Sequence, residues 1–200
     1  MRGAVKKSIA IIGEGDTEWF YFDSLRIANR YPFKLVPGLP SHSDIGHILS
    51  LADRYIREKF DYVICLIDMD RMMQIPAEMA KYQSSKRKKE YIGVWFIETY
   101  PCTEFWFLLH FLPDLAKRKY NSCDALLPEL QKYMPGYEKT KKYFRKTDLY
   151  LYLREHGNID RAVRNSKLLS KTIKTNPDDL ICYSEVYKVI ELIKQMTQNQ

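Results

Sequence analysis

Long apolar runs are absent: no stretch of this 200-residue chain approaches the roughly 20 residues needed to span a bilayer. A membrane-crossing role is therefore not expected. The charged segment from Met1 to Lys7 leads into only a short apolar stretch before Gly13, too little for a secretory signal, so a cytoplasmic protein is expected. Cysteine is sparse. Cys65, Cys102, Cys123 and Cys182 are scattered with no C-x-x-C pair, which argues against a structural zinc or a disulfide framework. No zinc ribbon and no nucleotide-binding glycine loop is evident, and both absences count against nucleotidyl transfer. Internal repeats and low-complexity tracts are also missing.

What is present is 46% hydrophobic content, enough for a real core, and a net charge of +7. Two acidic clusters stand directly behind apolar runs. Ser8-Ile9-Ala10-Ile11-Ile12 leads into Gly13-Glu14-Gly15-Asp16-Thr17-Glu18, and Tyr62-Val63-Ile64-Cys65-Leu66-Ile67 leads into Asp68-Met69-Asp70. Short β-branched runs of this kind read as buried strands of a parallel sheet, and ligands bind at the carboxyl ends of such strands. Carboxylates gathered there repel one another unless a cation neutralises them. A hard divalent ion, Mg²⁺ or Mn²⁺, suits an all-oxygen donor set.

The first hundred residues alternate strand and helix signals. Strands are expected at Lys7–Ile12, Phe33–Val36, Tyr62–Ile67 and Tyr91–Ile97. Helices are expected at Thr17–Arg30, from Ser43 or Asp44 to about Lys59, and across Met72–Glu90. The βαβαβαβ order predicts an α/β fold, a mostly parallel sheet flanked by helices. From Cys102 onward the pattern is helical throughout. It starts with the apolar Glu104–Leu112, and Asn176-Pro177-Asp178-Asp179 turns into a last helix. The expected division is an α/β domain over 1–113 and a helical appendage packed on it over 114–200.

Spacing then assigns candidate ligands. Glu14 and Glu18 are four apart across a helix start, and strand alternation sends Asp68 and Asp70 to one side. Four carboxylates suffice for one or two divalent ions in an in-line phosphoryl displacement. Taken singly, each pair also fits an ordinary polar turn or acids favoured by a helix dipole. Glu104 follows a strand and falls on the same sheet edge, either touching the reaction or supporting it. His110 lies two turns further on and is expected to be buried and hydrogen-bonded. The cations Lys86-Arg87-Lys88-Lys89 read as an exposed loop, and the fifteen tyrosines as half-buried packing.

A glycine-flanked glutamate after the first strand and D-x-D after a later one resemble the TOPRIM domain of primases, topoisomerases and overcoming-lysogenization-defect (OLD) nucleases. The closer resemblance is to the RloB-like family. It rests on Glu14-Gly15-Asp16-Thr17-Glu18 with Tyr21-Phe22, on Asp68-Met69-Asp70-Arg71, and on Tyr100-Pro101-Cys102-Thr103-Glu104-Phe105-Trp106-Phe107-Leu108-Leu109-His110-Phe111. Tyr137-Glu138-Lys139, Arg164-Asn165-Ser166-Lys167 and Asn176-Pro177 extend it toward the C-terminus. Tyr100 and Thr103 depart from the family's Asn-Pro-Cys-Phe-Glu.

The resemblance implies a TOPRIM-like, Rossmann-like fold and a Mg²⁺- or Mn²⁺-dependent endonuclease acting on RNA, such as tRNA, or on DNA. It implies a place in antiviral defence beside an ABC- or AAA-type ATPase. Glu14, Glu18, Asp68 and Asp70 become metal ligands, and Glu14, Asp68, Asp70, Glu104 and Lys139 the catalytic set. Lys139 would match the appendage lysine of OLD-type sites, with Lys141, Lys142, Arg145 and Lys146 as nearby alternatives. The rival expectation is a catalytically inactive subunit that docks on an ATPase or senses. An oligomer is left open.

Overall fold

The computed structural model describes residues 8–31, 34–35, 44–113, 119–175 and 181–198. Strand β1 (Ile9–Ile12) consists of four buried apolar residues, which is the pattern of a strand covered on both faces. It pairs in parallel with β2 (Lys34–Leu35) on one side and β3 (Tyr62–Asp68) on the other. Next comes β4 (Val94–Tyr100), parallel to β3, and then the two-residue β5 (Tyr183–Ser184), which is antiparallel to β4. The sheet order is β2-β1-β3-β4-β5, a mixed sheet with a parallel centre. Ile12 lies opposite Cys65 and Asp68 opposite Thr99, so the carboxyl ends of β1, β3 and β4 open on one edge.

Helices α1 (Asp16–Asn29) and α2 (Ile45–Arg57) follow β1 and β2. Asp44 caps α2 by accepting the His47 N–H at 3.0 Å. The expected single helix over Met72–Glu90 is instead α3 (Met69–Gln74), α4 (Pro76–Lys86) and a 3₁₀ turn at Lys89–Tyr91. Pro76 is the cause: it takes the first position of α4, where its missing N–H costs nothing, and the chain breaks at Ile75. The fourth strand begins three residues later than expected, because Tyr91 closes the 3₁₀ turn and Gly93 takes φ 102°. Lys86 pairs with Glu98 at 2.6 Å and Lys88 with Glu90 at 3.5 Å, which accounts for part of the basic run.

Helix α5 (Glu104–Leu109) is shorter than the expected Glu104–Leu112, and all six of its residues are buried. Six residues cannot sustain a helix alone. Burial holds it, at about 1.5–3 kcal/mol per large apolar side chain. Trp106 Nε1 donates to Tyr21 Oη at 2.9 Å, joining α5 to α1. His110 is buried, its Nδ1 lies 2.9 Å from the Trp106 carbonyl, and burial lowers its pKa to about 4.

The later helices are α6 (Cys123–Tyr133), α7 (Lys141–Lys146), α8 (Leu149–His156), α9 (Ile159–Thr175) and α10 (Val186–Gln198). They pack on the α/β half: α8 against α1, α6 and α9 against α5, α10 against β4. Asn165 Nδ2 donates to the Leu112 carbonyl at 3.0 Å, and the Tyr150 N–H donates to Ser24 Oγ at 2.9 Å. The uniformly helical second half is corrected at β5, where Thr99 and Ser184 hydroxyls meet at 3.0 Å. The turn expected at 176–179 lies outside the described residues. Among the described residues no helix is long and apolar enough to cross a membrane.

Candidate metal centre

The loop after β1 delivers two acids through a close approach. A Cβ at Gly13 would lie 2.7 Å from Glu18 Cβ, so only glycine lets the strand end pass the first turn of α1. Glu18 turns back over that turn and accepts the Gly15 N–H at 2.9 Å. Gly13→Ala should displace Glu18 and cost about 1–3 kcal/mol by overpacking. Chemical denaturation checks the loss, and divalent-metal affinity should fall with it.

Asp68 is the last residue of β3, and its backbone N–H donates to Glu14 Oε1 at 3.0 Å. Its own Oδ1 accepts the Thr103 N–H at 2.9 Å and the Thr103 hydroxyl at 3.1 Å. Asp70 does not continue the strand alternation; it sits in the first turn of α3. Its N–H donates to the Pro101 carbonyl at 3.0 Å, Oδ1 accepts the Arg71 N–H at 2.7 Å, and Oδ2 accepts the Cys123 N–H at 3.0 Å. Glu14, Glu18, Asp68 and Asp70 line one cavity of about 300 Å³, with Arg71 and Lys139 on its wall.

Glu104 stands behind that wall. Its side chain is fully buried, and Oε1 accepts from Thr17 Oγ1 at 3.0 Å and Tyr137 Oη at 2.9 Å. Lys139 Nζ lies 3.2 Å from Oε1 and 3.3 Å from Oε2, so Glu104 is the buried counterion of Lys139. Thr17, Thr103 and Tyr137 are site residues that sequence reasoning missed. All three stand in the segments that carry the family resemblance, Thr103 as a departure from its pattern, but nothing there marks them as partners of the acids. Lys141 reaches only Asp16, at 3.8 Å.

The expectation against disulfides is corrected at this site. Cys102 and Cys123 are bonded, with Cα atoms 5.6 Å apart. Spacing missed it because 21 residues separate the two, and the pairing is made by the docking of α6 beside α5. Cys102, Glu104 and Cys123 are the ligand-type trio whose donor atoms fall within 4.8 Å of one another among the described residues. Among the described residues none of the four cavity acids belongs to a set that tight.

Burial, and then the charge of Glu18, pushes the Glu14 carboxyl up from 4.5 to about 8. Burial raises Glu18 too, against the pull of Lys139, and raises Asp68 well above its ordinary value with help from the Glu18 and Glu14 charges. Burial lowers the Lys139 pKa, but the Glu104, Asp68 and Glu18 carboxylates outweigh it and hold the ammonium charged. Four hard oxygen donors, three of them reluctant to ionise without a counter-charge, fit a divalent cation.

The raised Glu14 carboxyl contributes stability that is fully present below 4.5 and is lost as pH rises through about 8. A cation competes with those protons, so affinity should rise over the same interval. Calorimetric titration of Mn²⁺ in buffers of different ionisation enthalpy should show proton release. Equal affinity at about pH 6 and about pH 8 would count against the site.

A family model described as RloB-like protein matches residues 9–193, nearly the whole chain. No curated protein and no solved structure matches it.

Proposed function

The chain belongs to the RloB-like family, and from that premise and its acidic cavity we propose that it is a TOPRIM-type, Mg²⁺- or Mn²⁺-dependent endonuclease cleaving RNA or DNA phosphodiesters. The observation that carries this reading is the convergence of Glu14, Glu18, Asp68 and Asp70 on one cavity at the carboxyl edge of a parallel sheet. Each of these carboxylates is fixed by a backbone N–H: Asp68 for Glu14, Gly15 for Glu18, Thr103 for Asp68, Arg71 and Cys123 for Asp70. Fixed acceptors cost no reorganisation when a cation binds, which is the condition for electrostatic catalysis.

A divalent ion supplies Lewis acidity there, acidifying the attacking water and neutralising phosphate charge. The chain's own residues orient the substrate. Lys139, held by Glu104, presents a permanent cation to the non-bridging phosphate oxygens, and Arg71 offers a second. Outside the cavity, Lys141, Lys142, Arg145 and Lys146 are exposed on α7, and Lys141 lies beside Asp16 at the start of α1. That cationic strip gives a phosphate backbone a path to the cavity mouth. An ABC- or AAA-type ATPase is the partner this reading carries, with antiviral defence as its setting.

The test is incubation of purified protein with tRNA, single-stranded DNA and plasmid, with Mg²⁺, Mn²⁺ or EDTA. Cleavage of at least one substrate, abolished by EDTA, is expected. Intact substrates under every metal condition, alone and with the ATPase, would favour a docking subunit instead.

A further inference from the structure

Catalysis as proposed makes no use of the Cys102–Cys123 bond, yet both residues line the acidic cavity. The bond ties the loop after β4 to the first residue of α6. Three contacts of the centre involve that first residue. The Cys123 N–H donates to Asp70 Oδ2 at 3.0 Å, and Cys123 Sγ lies 3.2 Å from Glu104 Oε2 and 3.6 Å from Lys139 Nζ. One covalent link therefore fixes the donor to a candidate metal ligand and sets a sulfur beside the ion pair that faces the phosphate. Cys102 is buried, whereas Cys123 is half-buried and open to the cavity. By contrast Cys65 and Cys182 are buried free thiols away from it.

We propose that Cys102 and Cys123 are a redox-active pair whose disulfide tightens divalent-metal binding in the acidic cavity, with small dithiols and their disulfides as co-reactants. The inference rests on the metal-centre reading above. In the reducing direction one thiolate of the dithiol attacks Cys123 Sγ, forming a mixed disulfide. Cys102 leaves as thiolate and takes up the proton that the attacking thiol lost. The second thiol then displaces Cys123, which gains that thiol's proton. Two electrons and two protons pass from the dithiol to the protein, and the dithiol becomes a cyclic disulfide. The ammonium of Lys139 offsets the repulsion that the cavity acids exert on an incoming thiolate. Without the bond, the start of α6 is free to draw back, and Asp70 loses its fixed donor.

Linkage makes the effect reciprocal: if the disulfide favours metal, metal favours the disulfide by the same factor. Full-length protein is equilibrated in graded ratios of dithiothreitol to its cyclic disulfide, with and without Mn²⁺. It is then quenched in acid, alkylated and mapped by mass spectrometry, with Cys65 and Cys182 as internal controls. Mn²⁺ affinity is measured by calorimetry in each redox state. The expected result is about tenfold tighter Mn²⁺ binding in the disulfide form and an equal shift of the redox midpoint. Cys123→Ser should bind Mn²⁺ like the reduced wild type and ignore the dithiol, whereas Cys65→Ser keeps the response.

Alkylation of both Cys102 and Cys123 throughout the series overturns the proposal, as does a midpoint that Mn²⁺ leaves unmoved. Equal Mn²⁺ affinity in both states of a protein that cleaves nucleic acid defeats this inference alone. A redox-linked metal affinity without cleavage of any substrate defeats the endonuclease reading alone. Absence of Mn²⁺ binding in either state defeats both.

Discussion

Asp68→Asn should lower phosphodiester hydrolysis by about 10³-fold, a rise of about 4 kcal/mol in the barrier. Asp68 Oδ1 already accepts two bonds from Thr103, so the asparagine carbonyl keeps that place. Its amide then takes the place of Oδ2, and a donor replaces an acceptor on a residue that lines the cavity. The fold should not suffer. Burial and the Glu18 and Glu14 charges already penalise the ionised Asp68, so a neutral isostere removes repulsion, and the thermal midpoint without metal should stay level or rise. Initial rates on the best substrate, thermal unfolding and pull-down of the ATPase partner are measured together. Lost cleavage with intact partner binding supports catalysis. If phage protection persisted in both Asp68→Asn and Glu14→Gln, the docking reading would replace it.

What sequence could reach here was set by the range of the interactions. The acids at the ends of β1 and β3 were legible because each follows its strand directly, and a continuous apolar run ended by a glycine or a charge carries that information. Helix α1 and strand β3 begin and end within a residue or two of their expected bounds because their signals are local too. Breaks made by one residue, such as Pro76, shift boundaries without changing the fold. Contacts assembled from distant segments were not legible. Tyr137 and Thr17 meet Glu104 across 33 and 87 residues, and the motifs that contain them carry no sign of that contact. Cys123 is similar: its partner is fixed by the way α6 docks on α5. Glu104 itself was expected on the right edge, but only the packing shows it as a counterion behind the wall.

That buried ion pair carries the largest expected change in stability. Lys139→Met should cost about 3–5 kcal/mol, because it strands a carboxylate that has no exposed surface. Glu104→Gln should cost less, about 1–3 kcal/mol. The amide oxygen still accepts from Thr17 and Tyr137, and Lys139, whose side chain is 43% exposed, can turn toward solvent. Combining the two removes both charges together, so Glu104→Gln/Lys139→Met should be more stable than Lys139→Met alone. Urea denaturation of the wild type, both single variants and the double variant closes the cycle. Simple additivity would mean that the two groups do not hold one another, and the role given to Glu104 in presenting Lys139 to the phosphate would fall. With strong coupling, Glu104→Gln should also slow cleavage through the misplaced ammonium, although it touches neither metal nor substrate. Raised ionic strength should leave the coupling nearly unchanged, because its carboxylate end is shielded from mobile ions.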